Sequence, residues 1–201
     1  MAPSGPRLLL VRHGIAEDRS EDRPDGLRAL TPAGRRRTTA VLERAVALGL
    51  AVDRLVSSPL VRARQTAELA LGAGLAPSLE LATALEPGAD PLPLLARWLA
   101  STPKPVAPQP LGGGRSAGED QPAAADSLGV LPLSMALVGH EPDLGDLAAT
   151  LLGAPPGSIA LRKAGLALLV LPRSAQVRLA DQAAASAWRL QLLLTPRALL
   201  T

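Results

Sequence analysis

The chain has 201 residues, a formal net charge of +3, two Trp, and no Cys, Phe or Tyr. That length supports one sizeable core, which Leu, Val and Ala must fill. The absent cysteines exclude disulfide and thiolate-metal frameworks, and the scarcity of aromatics argues against stacking on single-stranded nucleic acid.

The isoelectric point near 10.5 does not indicate a polyanion partner. Nearly every cation is Arg, and no Tyr or Cys titrates on the way up, so a small excess of guanidinium suffices.

Residues 7–12 (RLLLVR) read as a short buried strand, followed by a charged loop over 14–30 that contains Pro24 and Gly26. A helix is predicted next, with Thr31 as its N-cap, Pro32 at its first position and Gly49 closing its end. Val41, Leu42, Ala45 and Leu48 form its apolar face, and Arg35, Arg36, Glu43 and Arg44 its wet face. DRLVSS (53–58) is a second strand, and the helix after it has Pro59 at its first turn and Gly72 or Gly74 past its end. A short strand around 79–82 and a helix from about Pro91 follow.

Residues 101–130, rich in Pro, Gly, Ala and Ser, break this rhythm and are expected to form a flexible surface insertion in a single domain spanning 1–201. SMALVGH is a further buried strand. EPDLGDLAATLLG is its following helix, with Glu141, Asp143 and Asp146 suited to the positive end. The tail reads as strands in SIALRKAGLALLVLP, AQVRLA and AWRLQLLL, the last pairs antiparallel. The first residues are too poor in apolar side chains for a signal-peptide core, and LALLVLP stops at a proline short of a membrane span. A cytoplasmic protein with no membrane segment is expected.

Strand–helix alternation from 7 to 152 implies an α/β fold: a three-layer sandwich with a mostly parallel central sheet, helices on both faces and antiparallel edge strands. In such sheets ligands bind outside the carboxyl ends of the strands. Those ends deliver Arg12, His13 and Gly14, then Ser57, Ser58 and Arg62, then Gly139, His140 and Glu141. Two imidazoles and two guanidiniums thus converge beside helix N-termini, which suits a dianionic phosphoryl group. A neutral imidazole is a nucleophile toward phosphorus, neighbouring arginines keep its lone pair available, and arginine forks clamp the oxygens in the transition state. The Gly14 carbonyl is placed to fix the tautomer of His13. A two-histidine metal site completed by Glu141 or Glu17 is disfavoured by the adjacent arginine, so no metal and no cofactor are expected.

The stretches LLLVRHGIAE, LVSSPLVRARQTAE and LVGHEPDLGDLAATLLG together resemble the histidine phosphatase superfamily, also called the phosphoglycerate mutase-like family. Arg12-His13-Gly14 matches its signature triplet. Ser58-Pro59-x-x-Arg62-Ala63-x-Gln65-Thr66 matches its second motif and Gly139-His140 its third. LTPAGRRR, VGHEPDL and GSIALRKAGLALLVL look like the SixA-type phosphohistidine phosphatases within it. The resemblance implies a metal-independent phosphatase in which His13 becomes phosphorylated while Arg12, Arg62 and His140 hold the phosphoryl group. Gly14 and Ser58 would line the substrate site, Ser58 shaping the turn. Glu86 lies near the place where larger members carry a general acid, and Glu17, four residues after His13, is a poorer candidate. The implied substrate is phosphohistidine on a signalling or phosphotransfer protein. The alternatives are a small phosphomonoester, with 101–130 folding over as a lid, and a non-enzymatic phosphate-binding module.

Overall fold

The structure, a computed structural model, describes residues 5–101, 133–172 and 187–201. Most of the expected insertion at 101–130, and the strand expected in AQVRLA, lie outside these residues. Among the described residues six strands form one sheet: β1 (Arg7–Arg12), β2 (Arg54–Ser57), β3 (Leu79–Leu81), β4 (Ser134–Gly139), β5 (Leu166–Val170) and β6 (Arg189–Leu194). Their order is β3-β2-β4-β1-β5-β6. The pairs β2–β3, β2–β4 and β1–β4 are parallel, whereas β1–β5 and β5–β6 are antiparallel. Among the described strands only β5 therefore runs against the rest, and β6 forms the edge.

Among the described residues five helices accompany the sheet: α1 (Pro32–Ala47), α2 (Val61–Gly72), α3 (Leu92–Ala100), α4 (Asp143–Leu152) and α5 (Pro196–Leu200). Period-two alternation along β1 divides the core between two faces. Leu9 and Val11 pack with Val41, Leu42 and Ala45 of α1 and Ala63, Ala67 and Ala70 of α2. Leu8 and Leu10 pack with Leu94, Leu95 and Trp98 of α3 and Leu144, Leu147 and Leu151 of α4. A strand covered on both sides reads as an unbroken apolar run, which explains LLLV in β1.

Local chemistry sets the element ends. The Thr31 hydroxyl accepts the Gly34 N–H at 2.9 Å, and Pro32 fills the first helical position. Gly49, Gly74 and Gly153 take the left-handed conformation just beyond α1, α2 and α4. Two expectations shift. Leu48 is half exposed because the chain leaves the helix there. The second helix begins at Val61 rather than Pro59, because Ser58 to Leu60 form the turn on the rim, where Ser58 Oγ accepts the Leu60 N–H at 3.3 Å.

At the opposite rim Asp53 and Ser134 tie β2 to β4. The Asp53 carboxylate accepts the Ser134 N–H at 2.7 Å and its hydroxyl at 2.8 Å. No helix among the described residues is long and apolar enough to cross a membrane.

Candidate active site

Backbone bonds between strand ends assemble the site. The His13 N–H bonds the Gly139 carbonyl at 3.1 Å, and the Ser58 N–H bonds the Val138 carbonyl at 3.0 Å. Three successive strands of the sheet therefore present His13, Ser58 and His140 side by side, and the two imidazole centroids lie 5.1 Å apart. All three residues are buried, as is Arg62 at 4 % exposure.

Each imidazole is fixed by a partner. His13 Nδ1 lies 2.7 Å from the Gly14 carbonyl, which can only accept, so Nδ1 carries the proton and Nε2 carries the lone pair. Arg62 Nε donates to that Nε2 at 3.3 Å. His140 Nε2 lies 3.0 Å from Ser58 Oγ. Burial pushes the His13 pKa down, and the Gly14 carbonyl opposes this. His140, Arg62 and Arg12 depress it further, to about 3. His140 falls to about 4, again chiefly through burial and then through Arg62. Both rings are therefore neutral near neutral pH. Burial contributes more to this than the arginine charges that the sequence suggested.

Gly14 has a steric as well as a chemical role. A Cβ on it would lie 2.2 Å from Thr38 Oγ1, so a side chain there has to displace the Thr38 hydroxyl. Its N–H donates to Thr66 Oγ1 at 3.0 Å, and that hydroxyl donates to the Arg62 carbonyl at 2.8 Å. Thr66 thus locks the loop after His13 to the helix that carries Arg62.

The two terminal nitrogens of Arg62 are held by the loop after β1. Its Nη1 donates to the Asp25 carbonyl at 2.8 Å, and its Nη2 pairs with Asp25 Oδ2 at 3.0 Å. The same carboxylate pairs with Arg28 at 2.8 Å and Arg19 at 3.1 Å. Burial alone would raise the Asp25 pKa. The bond from Arg28 and the charges of Arg62, Arg28 and Arg19 outweigh it and hold the carboxyl below its ordinary value. Asp25 is thus kept ionised and unsuited to be a proton donor.

Arg12 is set by the segment before β5. Its Nη1 donates to the Leu161 carbonyl at 2.8 Å, and Glu141 Oε1 accepts the Leu161 N–H at 3.1 Å. Burial raises the Glu141 pKa, with the Leu161 N–H and Arg12 opposing.

His13, Gly14, Ser58, Arg62 and His140 are therefore brought together as the sequence suggested, and Arg12 joins them on the same strand end. Glu86 lies elsewhere on this rim, half-buried at the end of a 3-10 turn (Thr83–Leu85) whose following loop is tied to α4 by the Gly88 N–H and Asp143. Among the described residues no hydrogen bond or ion pair joins its carboxylate to the histidines. Glu17 is turned into its own loop, where it holds Arg23 and the Ala29 N–H. Asp25 and Thr66 were assigned no role from sequence. Thr66 stands one helical turn after Arg62 within the second motif, which was the available signal. Asp25 lies in a loop without periodicity and gave none.

A parallel-stranded rim that presents a tautomer-fixed histidine between arginines defines a phosphoryl-handling α/β protein. The chain belongs to the histidine phosphatase superfamily (branch 1), whose family profile matches residues 8–85. It is 37% identical over 160 residues to an uncharacterized protein of a Picosynechococcus strain, covering 79% of this chain and 81% of that one. Among solved structures it is similar to the protein histidine phosphatase SixA complexed with tungstate. That match has a TM-score of 0.67 at 22% identity and covers 96% of this chain and 99% of the other. It is also similar to mycobacterial glucosyl-3-phosphoglycerate phosphatase, with a TM-score of 0.60 at 21% identity, covering 94% of this chain and 98% of that one. These likenesses show the phosphoglycerate mutase-like fold.

Proposed function

We propose that the protein hydrolyses phosphohistidine on a signalling or phosphotransfer protein through a phosphorylated His13. The observation that carries this reading is the His13 Nδ1 to Gly14 carbonyl bond of 2.7 Å, which leaves Nε2 as a lone pair beside buried Arg62. In the first step Nε2 attacks phosphorus, the P–N bond to the substrate imidazole breaks, and the departing nitrogen keeps the bond's electron pair and takes up a proton. In the second step a water oxygen attacks the same phosphorus, the P–Nε2 bond breaks, and inorganic phosphate leaves with the water's oxygen. Arg12 and Arg62 neutralise the equatorial oxygens in both steps, and neutral His140 holds one of them by a hydrogen bond. A nitrogen leaving group is protonated more readily than an alkoxide, which lessens the demand on a carboxylic acid such as Glu86. The SixA structure of the same fold is complexed with tungstate, a phosphate-like oxyanion, which supports the phosphoryl reading.

A second reading takes a small phosphomonoester as substrate. The structural likeness to glucosyl-3-phosphoglycerate phosphatase favours it. It needs a proton donor for an alkoxide, a role for which Glu86 is the candidate.

Incubation with labelled phosphohistidine protein and with labelled small phosphoesters, followed by quenching, separates the two. The expected result is an acid-labile, base-stable protein adduct formed from the phosphoprotein and absent in His13→Ala. Turnover that survives His13→Ala would overturn the mechanism. Faster turnover of the phosphoesters would replace the first substrate class by the second.

A further inference from the structure

The second histidine poses a question that the phosphoryl site alone does not answer: which of its nitrogens carries the proton. His140 is 3 % exposed, its Nε2 faces Ser58 Oγ at 3.0 Å, and its Nδ1 is buried without a hydrogen-bond partner among the described residues. Ser58 is wholly buried. Its oxygen already accepts the Leu60 N–H at 3.3 Å.

Two arrangements of the hydrogens are available. If His140 Nε2–H donated to Ser58, the serine's own proton would have no acceptor among the described residues. The Nδ1 lone pair would also be left bare, so two buried polar groups would be orphaned. If Ser58 donates to Nε2 instead, every polar atom of Ser58 is satisfied, and one group remains, an Nδ1–H donor. A bare lone pair repels an oxyanion, whereas an N–H binds one. Only the second arrangement makes His140 complementary to a phosphoryl oxygen.

We infer that Ser58 is a positioning residue that acts through His140: its hydroxyl fixes the Nδ1–H tautomer and so turns a buried imidazole into an oxyanion donor. His13 and His140 then share one tautomer, set by two devices. A backbone carbonyl holds the proton on Nδ1 of His13, and a hydroxyl fills the lone pair at Nε2 of His140. The consequence for catalysis rests on the phosphatase reading above, but the tautomer itself does not.

The chain's only histidines are His13 and His140, so ring-nitrogen NMR of protein labelled in histidine resolves the matter in the unmodified enzyme. Both Nδ1 atoms are expected as protonated, pyrrole-type resonances and both Nε2 atoms as pyridine-type. A pyrrole-type Nε2 for His140 would overturn the inference, whatever the enzyme's substrate. In Ser58→Ala the His140 tautomer is expected to redistribute toward Nε2–H while His13 keeps its own, and kcat/KM to fall about 10- to 100-fold, the worth of one bond to a charged group. An unchanged His140 tautomer in that variant would also overturn it. Orthovanadate added to the wild type is expected to shift the His140 Nδ1 proton resonance. An unmoved resonance despite bound vanadate would remove the donor role and leave the tautomer result standing.

Discussion

Acidification provides a quantitative test of how the two imidazoles are buried. In the folded chain His13 titrates at about 3 and His140 at about 4, while in the unfolded chain both titrate near 6.5. A depressed folded pKa means that the unfolded chain takes up protons first. The contribution is therefore fully present above about pH 6.5 and is lost as pH falls toward the folded values. At about pH 5 an unfolded imidazole is almost wholly protonated and a folded one is still neutral. Each histidine then costs the fold roughly 2 kcal/mol, about 4 for the pair, relative to about pH 8. That figure needs both folded values to lie below 5 but does not depend on how far below. With two histidines and no cysteine, little else titrates in this window. Asp25, held below its ordinary value, loses its contribution only in more acid solution. Glu141, raised by burial, acts in the opposite direction, and Glu141→Gln removes it. Urea unfolding at the two pH values reads the difference directly. His13→Gln and His140→Gln should each recover about half of the loss. A wild-type loss below about 1 kcal/mol, or an unchanged loss in the double variant, would refute the reasoning.

Further consequences concern the supports of the site. Gly14→Ala places a methyl 2.2 Å from Thr38 Oγ1, so a destabilisation of about 1–3 kcal/mol is expected in urea. Most of it should return in the double variant with Thr38→Ala, since that oxygen has no hydrogen-bond partner to lose. Thr66→Val keeps the shape but leaves the Gly14 N–H unpaired. A loss of about 1–3 kcal/mol and faster exchange of the Gly14 amide are expected. Asp25→Asn leaves the buried Arg62 cation without its carboxylate, at an expected cost of about 1–2 kcal/mol given the exposure of Asp25. Inorganic phosphate should raise Tm more in this variant than in the wild type, because an oxyanion then supplies the missing charge. An equal or smaller rise would contradict the pairing.

The fold was legible wherever chemistry is local. Thr31 and Pro32 mark a helix start by capping, Gly49 and Gly74 mark helix ends by their left-handed backbone, and the LLLV run marks a strand covered on both faces. The histidines and arginines of the rim were legible as a cluster because they close apolar runs at strand ends, where the sheet geometry gathers them. What escaped was the layer behind them. Asp25 reaches Arg62 from 37 residues away in sequence, through a loop dense in charge, and nothing in that stretch singles out one carboxylate. Thr66 could be placed in a motif but not given a task, because its two partners lie on different elements. The same holds for the Leu161 backbone, which orients Arg12 and has no side-chain signature at all. The exact start of α2 was missed for a related reason: Ser58 to Leu60 serve the rim rather than the helix.

Both tryptophans, Trp98 and Trp188, lie in the core between the sheet and the α3/α4 layer, and the opposite core has no aromatic residue. Intrinsic fluorescence therefore watches one face of the sheet only. Far-ultraviolet circular dichroism watches the helices of both. If the two layers come apart at different denaturant concentrations, the two signals will separate, and the sign of the gap will tell which layer lets go first. A composition that looked merely impoverished gives the protein a one-sided reporter of its own unfolding.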